Sequence, residues 1–600
     1  MARGPMIKSV DKAKDFKGTL RKILSYINKY KMSIIIVIIF SVFGTAFSII
    51  GPNILGKVTT ELFNGVVAKI SSTGGINFDF IKRTLLLLLV LYLFSAICSF
   101  IQNFIMNSIS CKVSYNLRQQ ISSKFHKLPL SYFESRTHGE ILSRITNDVD
   151  TFSSNLSQTL SQLVNSIATL VGTLVMMISI SGRMTIIAII MLPLSIIGMS
   201  FIMKYSQKFF TRQQKNLGDL NGVVEEVYGG IDVVQVFNAE SKEIERFEEI
   251  NKRLYDSGWK SQFASTSMHP LMNFIGNINY IFVSIYGGYL TIKQKIEVGD
   301  ILSFSKYIKN LNRSVSDLAQ IFAMLQPTVA AAERVFEFLE EQEEIKDVSQ
   351  SKSIENINGN VEFKNVSFGY NKDEMTIHEF NAEVKQGQKI AIVGPTGAGK
   401  TTMVKLLMRF YDVDKGNILI DGIDVREFKR KDLRSLFGMV LQDTWLYSGT
   451  IADNIKYGKL NADIEEIKDA ARSASVHHFI KTLPDNYDMI LNEESDNISL
   501  GQKQLLTIAR VILKDPKILI LDEATSSVDT RTELLIQNAM DKLMENRTSF
   551  IIAHRLSTIK NADLILVMDN GGIVEQGKHE ELLKKDGFYA KLYNSQFDNI

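Results

Sequence analysis

Cysteine is almost missing from this chain. Its 600 residues hold two, Cys98 and Cys111, which leaves no disulfide framework and no paired spacing for zinc. Cys98 sits inside an apolar run and reads as a packed thiol rather than a reactive one. A surplus of charge is missing too. Lys and Arg number 68 against 65 Asp and Glu, a net charge of +3, which points to neither nucleic acid nor an acidic partner. There is no internal repeat with a period of about 20–50 residues, and the two halves of the chain are unlike each other. No secretory signal precedes the first apolar stretch. Instead the first 32 residues carry nine basic side chains against Asp11 and Asp15, with Phe16, Leu20, Ile23, Leu24 and Ile27 at helical spacing among them. That pattern predicts an amphipathic helix at the membrane surface, with the N-terminus on the cytosolic side under the positive-inside rule.

What is present divides in two. A chain of this length exceeds one hydrophobic core, and a mean hydropathy of +0.04 beside 22% charged residues suggests one lipid-facing part and one watery part. A helix needs about 20 apolar residues to cross a bilayer. Six stretches qualify, near 33–57, 83–106, 160–181, 184–203, 271–292 and 301–324. The expected organisation is a cytosolic segment over 1–32, an all-helical transmembrane domain over 33–330, a helix and polar linker over 331–355, and a second domain over 356–600. The link at Gly182 is tight, whereas 107–159 and 204–270 are long, polar and helical in pattern. They are predicted to extend the spans into the cytosol. The sixth span is interrupted by Lys306, Lys309, Asn310, Asn312 and Arg313. Lys306, Lys309 and Arg313 share one helix face. Either that face lines a transport pathway, or the three cations snorkel to headgroups or pair structurally.

The second domain carries a phosphate-binding pattern. An apolar, β-branched strand, Lys389-Ile390-Ala391-Ile392-Val393, runs into Gly394-Pro395-Thr396-Gly397-Ala398-Gly399-Lys400-Thr401-Thr402, and a helical pattern follows. This is the G-x-x-x-x-G-K-T loop in strand–loop–helix context. Its glycines let backbone N–H groups close around phosphate oxygens. Lys400 supplies charge to the β- and γ-phosphates, Thr401 a hydroxyl to Mg2+, and the helix N-terminus a partial positive charge. A second strand, Ile518-Leu519-Ile520-Leu521, ends in Asp522-Glu523. Asp522 is placed to hold Mg2+ through water and Glu523 to polarise an attacking water, a role whose loss typically costs about 10²–10⁴ in rate.

With these motifs the last 245 residues resemble the nucleotide-binding domain of ABC transporters. The whole chain is similar to an exporter-type half-transporter, with an all-α six-helix transmembrane domain ahead of an α/β P-loop ATPase. The resemblance implies further roles. Tyr370 would stack on adenine, though a lone strand tyrosine also suits ordinary packing. Gln442 would reach Mg2+ and the attacking water, Asp529 would communicate across a dimer, and His554 would contact the γ-phosphate. Segments near His138–Ile145 and Gly229–Glu240 would carry coupling helices. Cofactors would be ATP and Mg2+. The Lys-, Ile- and Asn-rich composition and the single half-transporter chain suggest a bacterial plasma membrane.

One motif departs from the family. The signature, normally Leu-Ser-Gly-Gly-Gln, reads Ile498-Ser499-Leu500-Gly501-Gln502, and the preceding loop reads Asn492-Glu493-Glu494-Ser495. The resemblance implies that Ser499, Gly501 and Gln502 serve ATP held by the other half of a dimer. Leu500 puts a branched side chain where backbone should approach that ligand. The chain's own Lys400, Asp522, Glu523 and His554 are intact. This asymmetry is similar to one member of heterodimeric multidrug exporters. A homodimer that tolerates leucine stays open, as does an ATP-gated channel or sensor on the same scaffold. The cargo, whether drug-like, lipid or peptide, is not specified by any motif.

Overall fold

The computed structural model describes residues 13–597, apart from 349, 372–373, 442–443, 493–496, 523–527 and 553–555. It divides into two compact units, Met1–Glu343 and Glu344–Ile600. The division falls within the expected linker. The linker's end belongs to the second unit, where buried Arg430 donates to the Asp347 carboxylate at 2.8 Å and to the Ile345 carbonyl.

The first unit is helical. Four helical stretches among the described residues are long and apolar enough to cross a bilayer: Phe16–Ile70, Phe78–Phe125, His138–Ile180 and Gly182–Gly229. The fifth and sixth expected spans lie in the helices Met268–Ile292 and Val298–Glu340. These two are outside that set because Asn273, Asn277 and Asn279 dilute one, and Lys306, Lys309 and Arg313 the other. Length and composition alone thus support four of the six. The long polar connections are helical, as Glu240–Thr266 and the extensions of Phe78–Phe125 and Gly182–Gly229. Short helices stand at both expected coupling segments, His138–Ser143 and Ile231–Val236.

Close backbone approach locks the last long helix against the first. A Cβ on Gly299 would lie 1.8 Å from the Gly56 carbonyl oxygen, so both positions admit only glycine, as helix contacts in membranes favour. Beside them the Ser303 hydroxyl donates to the Pro52 carbonyl and the buried Tyr307 hydroxyl to the Ile49 carbonyl, each at 2.8 Å. Phe304, Ile308 and Leu311 pack there with Met177, Met184 and Val283.

The N-terminal helix stands where its periodicity predicts, and it has a partner that the periodicity does not show. It runs from Phe16 to Ile27, with Asp15 capping it by accepting from the Gly18 N–H. Part of its apolar face is taken by protein: Ile23 and Ile27 are buried with Val329, Ala332, Val335 and Phe336. The backbone N–H groups of Lys14 and Asp15 donate to the Glu333 carboxylate at 2.8 Å. Periodicity reports an apolar face and not what covers it; Phe16 and Leu24 stay exposed.

The second unit is α/β. A six-stranded sheet has the spatial order Gly572–Gly577, Leu564–Asp569, Lys389–Val393, Thr548–Ile552, Ile518–Asp522, Phe437–Val440. All neighbours are parallel except the first pair. Its inner strands are buried on both faces, which explains the unbroken apolar runs within Ile518–Asp522 and Leu564–Asp569. A four-stranded antiparallel sheet, built around Val361–Phe368, packs its Phe363 ring against Phe550 of the larger sheet. A helical part includes Ile451–Lys456, Ile464–Ser473 and Leu500–Lys514.

Candidate phosphate-binding and hydrolysis site

The strand Lys389–Val393 lies between two parallel neighbours, with Ile390, Ala391 and Ile392 fully buried. Its end therefore has one exit, into the loop 394–399. Gly397 (φ +88°) and Gly399 (φ +94°) adopt the left-handed backbone that glycine alone takes freely. A Cβ on Gly394 would sit 2.3 Å from the Met568 carbonyl oxygen. Gly399 then caps the helix Lys400–Leu407. The loop is a bare-backbone cradle at a helix N-terminus, which suits an anion.

Lys400 bends back over this cradle. Its Nζ donates to the carbonyls of Gly394 and Pro395 at 2.6 and 3.0 Å. Burial holds its pKa below the ordinary lysine value, while Asp522 pulls it the other way. These two carbonyls are neutral acceptors that phosphate oxygens can replace with stronger, charge-assisted bonds. Thr401 is exposed, whereas Thr402 is buried. The Thr402 hydroxyl lies 3.1 Å from the Tyr370 hydroxyl. Tyr370 also packs edge-on against Phe368 and Tyr411. The ring keeps 45% of its surface exposed beside the loop, so it is packed and open at once.

Asp522 ends the strand Ile518–Asp522, in register with Ile552 on the neighbouring strand. Gln442, Glu523 and His554 lie outside the described residues. Their chain positions are nonetheless informative: each comes within two residues of the C-terminal end of a strand, Phe437–Val440, Ile518–Asp522 and Thr548–Ile552. Those three strands and Lys389–Val393 are consecutive and parallel in the sheet, so all four ends open on one edge, where α/β folds bind ligands. An all-oxygen set, the Thr401 hydroxyl and the Asp522 carboxylate beside a phosphate cradle, matches what Mg2+ prefers.

The signature segment forms a second cluster. Ser499 caps the helix Leu500–Lys514 in a capping box. Its hydroxyl accepts from the Gln502 N–H at 3.4 Å, and its own N–H donates to the Gln502 side chain at 2.8 Å. Leu500, first in the helix, is 44% exposed. Gly501 is buried, and a Cβ there would lie 2.4 Å from Thr532 Cγ2 and 2.9 Å from Val528 Cγ1. Asp529 caps the helix Thr530–Met544 by accepting from the Thr532 N–H at 3.0 Å. Bonds from the Thr532 hydroxyl and amide hold its carboxyl below the usual carboxylate range. The structure brings together Ser499, Gly501, Gln502 and Asp529, a grouping that sequence order does not reveal.

Arg510 was not anticipated. Projecting from the signature helix, it donates to the Asn454 carbonyl at 2.8 Å, the Asn454 side chain at 3.0 Å and the Trp445 carbonyl at 3.1 Å. It thereby ties this helix to the segment just after Gln442. The one signal available was an arginine within the apolar run Leu505–Leu513.

Comparison with known proteins agrees with this geometry. Residues 34–315 match the family model "ABC transporter transmembrane region", and residues 377–526 match the model "ABC transporter". A fatty acid ABC transporter ATP-binding/permease protein of Mycobacterium bovis is 44% identical over 612 residues, covering 97% of each chain. An ATP-dependent lipid A-core flippase of Syntrophus aciditrophicus is 36% identical, covering 87% of this chain and 86% of its own. A bacterial Atm1-family ABC exporter, solved with ATP bound, superposes with a TM-score of 0.74 at 28% identity, covering 96% of this chain and 99% of its own.

Proposed function

Since the chain belongs to the ABC transporter family, as an exporter half-transporter with membrane and ATPase domains in one polypeptide, we propose that it moves an amphipathic, lipid-like cargo outward as one half of a dimer with unequal ATP sites. ATP-driven export by dimers of half-transporters is the family's activity. The unequal sites, the cargo, six spans and cytosolic ATPase domains are this proposal's own. For cargo, the support is the pair of relatives named for fatty acids and for lipid A-core; neither name supports a multidrug role.

The observation that carries the asymmetry is Leu500. It is exposed at the start of the helix that Ser499 caps, which supports the reading that its branched side chain narrows the approach to that helix's N–H groups. This chain's own cradle has no such obstruction. Lys400 binds the phosphates through its Nζ, the backbone N–H groups of 396–402 close around them, and Tyr370 offers its open ring to the base. Thr401, Asp522 and Gln442 would hold Mg2+, which when bound offsets phosphate charge. Glu523 orients the attacking water and accepts its proton, and His554 steadies the γ-phosphate. The partner would bring an unobstructed signature to this site and receive the impaired one in return. Binding drives closure only through ATP's higher affinity for the closed state.

The test is ATP hydrolysis by the purified chain in lipid, alone and co-expressed with its genomic neighbour, with Glu523→Gln as control. Activity confined to the pair and abolished by Glu523→Gln is expected. Strong Glu523-dependent activity from the lone chain would establish a homodimer instead.

A further inference from the structure

The helix Val298–Glu340 has two opposite faces. Ser303, Phe304, Tyr307, Ile308, Leu311, Ser314 and Ile321 are buried, and the bonds of Ser303 and Tyr307 to the Pro52 and Ile49 carbonyls fix the helix's rotation. Leu302, Lys306, Lys309, Arg313 and Gln320 are exposed, and at 100° per residue they fall on a single opposite stripe. The three cations therefore face away from the packed helices by construction. Among the described residues no carboxylate forms an ion pair with any of them. Asp317, one turn beyond Arg313 and half-buried, makes none to it.

Depth gives the stripe its meaning. The polar turn Lys293, Lys295 and Glu297 precedes the helix. At 1.5 Å per residue, Lys306, Lys309 and Arg313 lie about 12, 16 and 22 Å along it from Val298. Within a hydrocarbon core of about 30 Å, Lys309 is near the middle, where no headgroup is within a side chain's reach. Unpaired cations at that depth require water or an anion. A stripe with three positive charges, no acid paired to it among the described residues, and an apolar residue at its outer end complements an anionic head on an acyl chain.

We infer that Lys306, Lys309 and Arg313 bind the carboxylate head of a long-chain fatty acid. The inference rests on the lipid-like cargo proposed above and names its class and its contact. The three residues give selectivity for the ionised acid over its uncharged ester, because a desolvated cation attracts the first and not the second.

The experiment uses the full-length protein, with its co-expressed partner, in phosphatidylcholine nanodiscs at alkaline pH. Photoreactive palmitic acid, with a diazirine near the carboxyl, is compared with its methyl ester. Labelling of the peptide spanning 298–340 is read by mass spectrometry. The acid should label about tenfold more than the ester, one decade of affinity. The combined variant Lys306→Gln, Lys309→Gln, Arg313→Gln should lose that preference, and Lys306→Arg, Lys309→Arg, Arg313→Lys should keep it. A preference that persists in the glutamine variant overturns the inference. So does equal labelling by acid and ester in the unaltered protein, which leaves a lipid-like cargo standing. Labelling by photoreactive phosphatidic acid but not by palmitic acid also overturns it. No labelling by any acyl probe refutes both the inference and the cargo reading beneath it.

Discussion

Gly501 lies in the signature, where a glycine is ordinarily credited to ligand approach. The packing gives a different reason that can be measured. A methyl group at position 501 would lie 2.4 Å from Thr532 Cγ2 and 2.9 Å from Val528 Cγ1, against about 3.5–4.0 Å for relaxed carbon contacts. The helices Leu500–Lys514 and Thr530–Met544 must then part by about 1 Å. Overpacking of this kind costs about 1–3 kcal/mol, while alanine regains about 1 kcal/mol of helix propensity over glycine. The net is about 0–2 kcal/mol, and the centre of that range corresponds to about 2–4 °C of melting temperature for a domain of this size.

Trp259 and Trp445 are the chain's two tryptophans. In a Trp259→Phe background, Trp445 fluorescence therefore reports the ATPase unit alone. Gly501→Ala should melt lower than its background, and Thr532→Ser, which deletes the nearest clashing methyl, should recover most of the loss. The coupling in that double-mutant cycle should fall in the range of about 0.5–3 kcal/mol seen for residues in contact. Leu500→Ala, at an exposed position, should leave melting unchanged within about 0.5 kcal/mol. If Gly501→Ala melts with its background and shows no coupling to Thr532, the packing account is wrong and glycine serves ligand approach alone.

Other positions give equally direct outcomes. Lys400→Ala removes the Nζ that rests on the Gly394 and Pro395 carbonyls; hydrolysis by the complex should fall by about 10²–10³, as for loss of one charge-stabilising donor. Asp421 accepts from the N–H groups of Asn358, Gly359 and Asn360 and from the Asn360 side chain. Burial pushes its pKa up, but those donors outweigh burial and hold the carboxyl below its usual value. A lowered native pKa stabilises above the ordinary carboxylate range and ceases to as pH falls through the native value. The melting difference between wild type and Asp421→Asn should therefore be full at neutral pH and close in acid. Arg334 grips the Asp148 carboxylate with Nε at 2.8 Å and Nη2 at 2.5 Å. Arg334→Met should speed trypsin cleavage of the membrane unit in lipid, and Asp148→Leu added to it should restore resistance. The loss should stay below the roughly 3–5 kcal/mol of a fully buried pair, since the Arg334 side chain is 35% exposed.

The parts of the fold legible in sequence were those written in neighbouring residues. The strand Lys389–Val393, its loop and its helix stand where the glycines and the apolar run place them. The coupling segments are helical, and the long polar connections continue their spans. Contacts between distant segments were not legible. An amphipathic pattern over 16–27 does not say that the helix Val298–Glu340 covers it. Ser499-Leu500-Gly501-Gln502 has the S-x-x-Q spacing of a capping box, a local role that family resemblance obscured. The tie from Arg510 to Asn454 and Trp445 needs two segments folded together before it has any meaning.

Adjacent residues of the signature can thus be assigned different causes. Gly501 is demanded by the fold, because Thr532 and Val528 leave no room for a Cβ. Leu500 is not: it heads its helix with 44% of its surface open, and it joins none of the unit's three buried clusters. Glycine there would satisfy the architecture at a small cost in helix propensity. A bulky side chain that packing does not require, at the start of a capped helix, is open to meet whatever approaches that terminus. In a dimer of two such chains both sites would carry the obstruction, and both would be slow. With a different partner only one would. Leu500→Gly separates the cases by stoichiometry. In a homodimer it should raise turnover at both sites, and Glu523→Gln in the same chain should abolish the gain. In a heterodimer it repairs only the site built on the partner's phosphate loop, so any added turnover should survive Glu523→Gln in this chain. No gain in a homodimer would mean that leucine leaves the approach open, and the asymmetry would lose its structural basis.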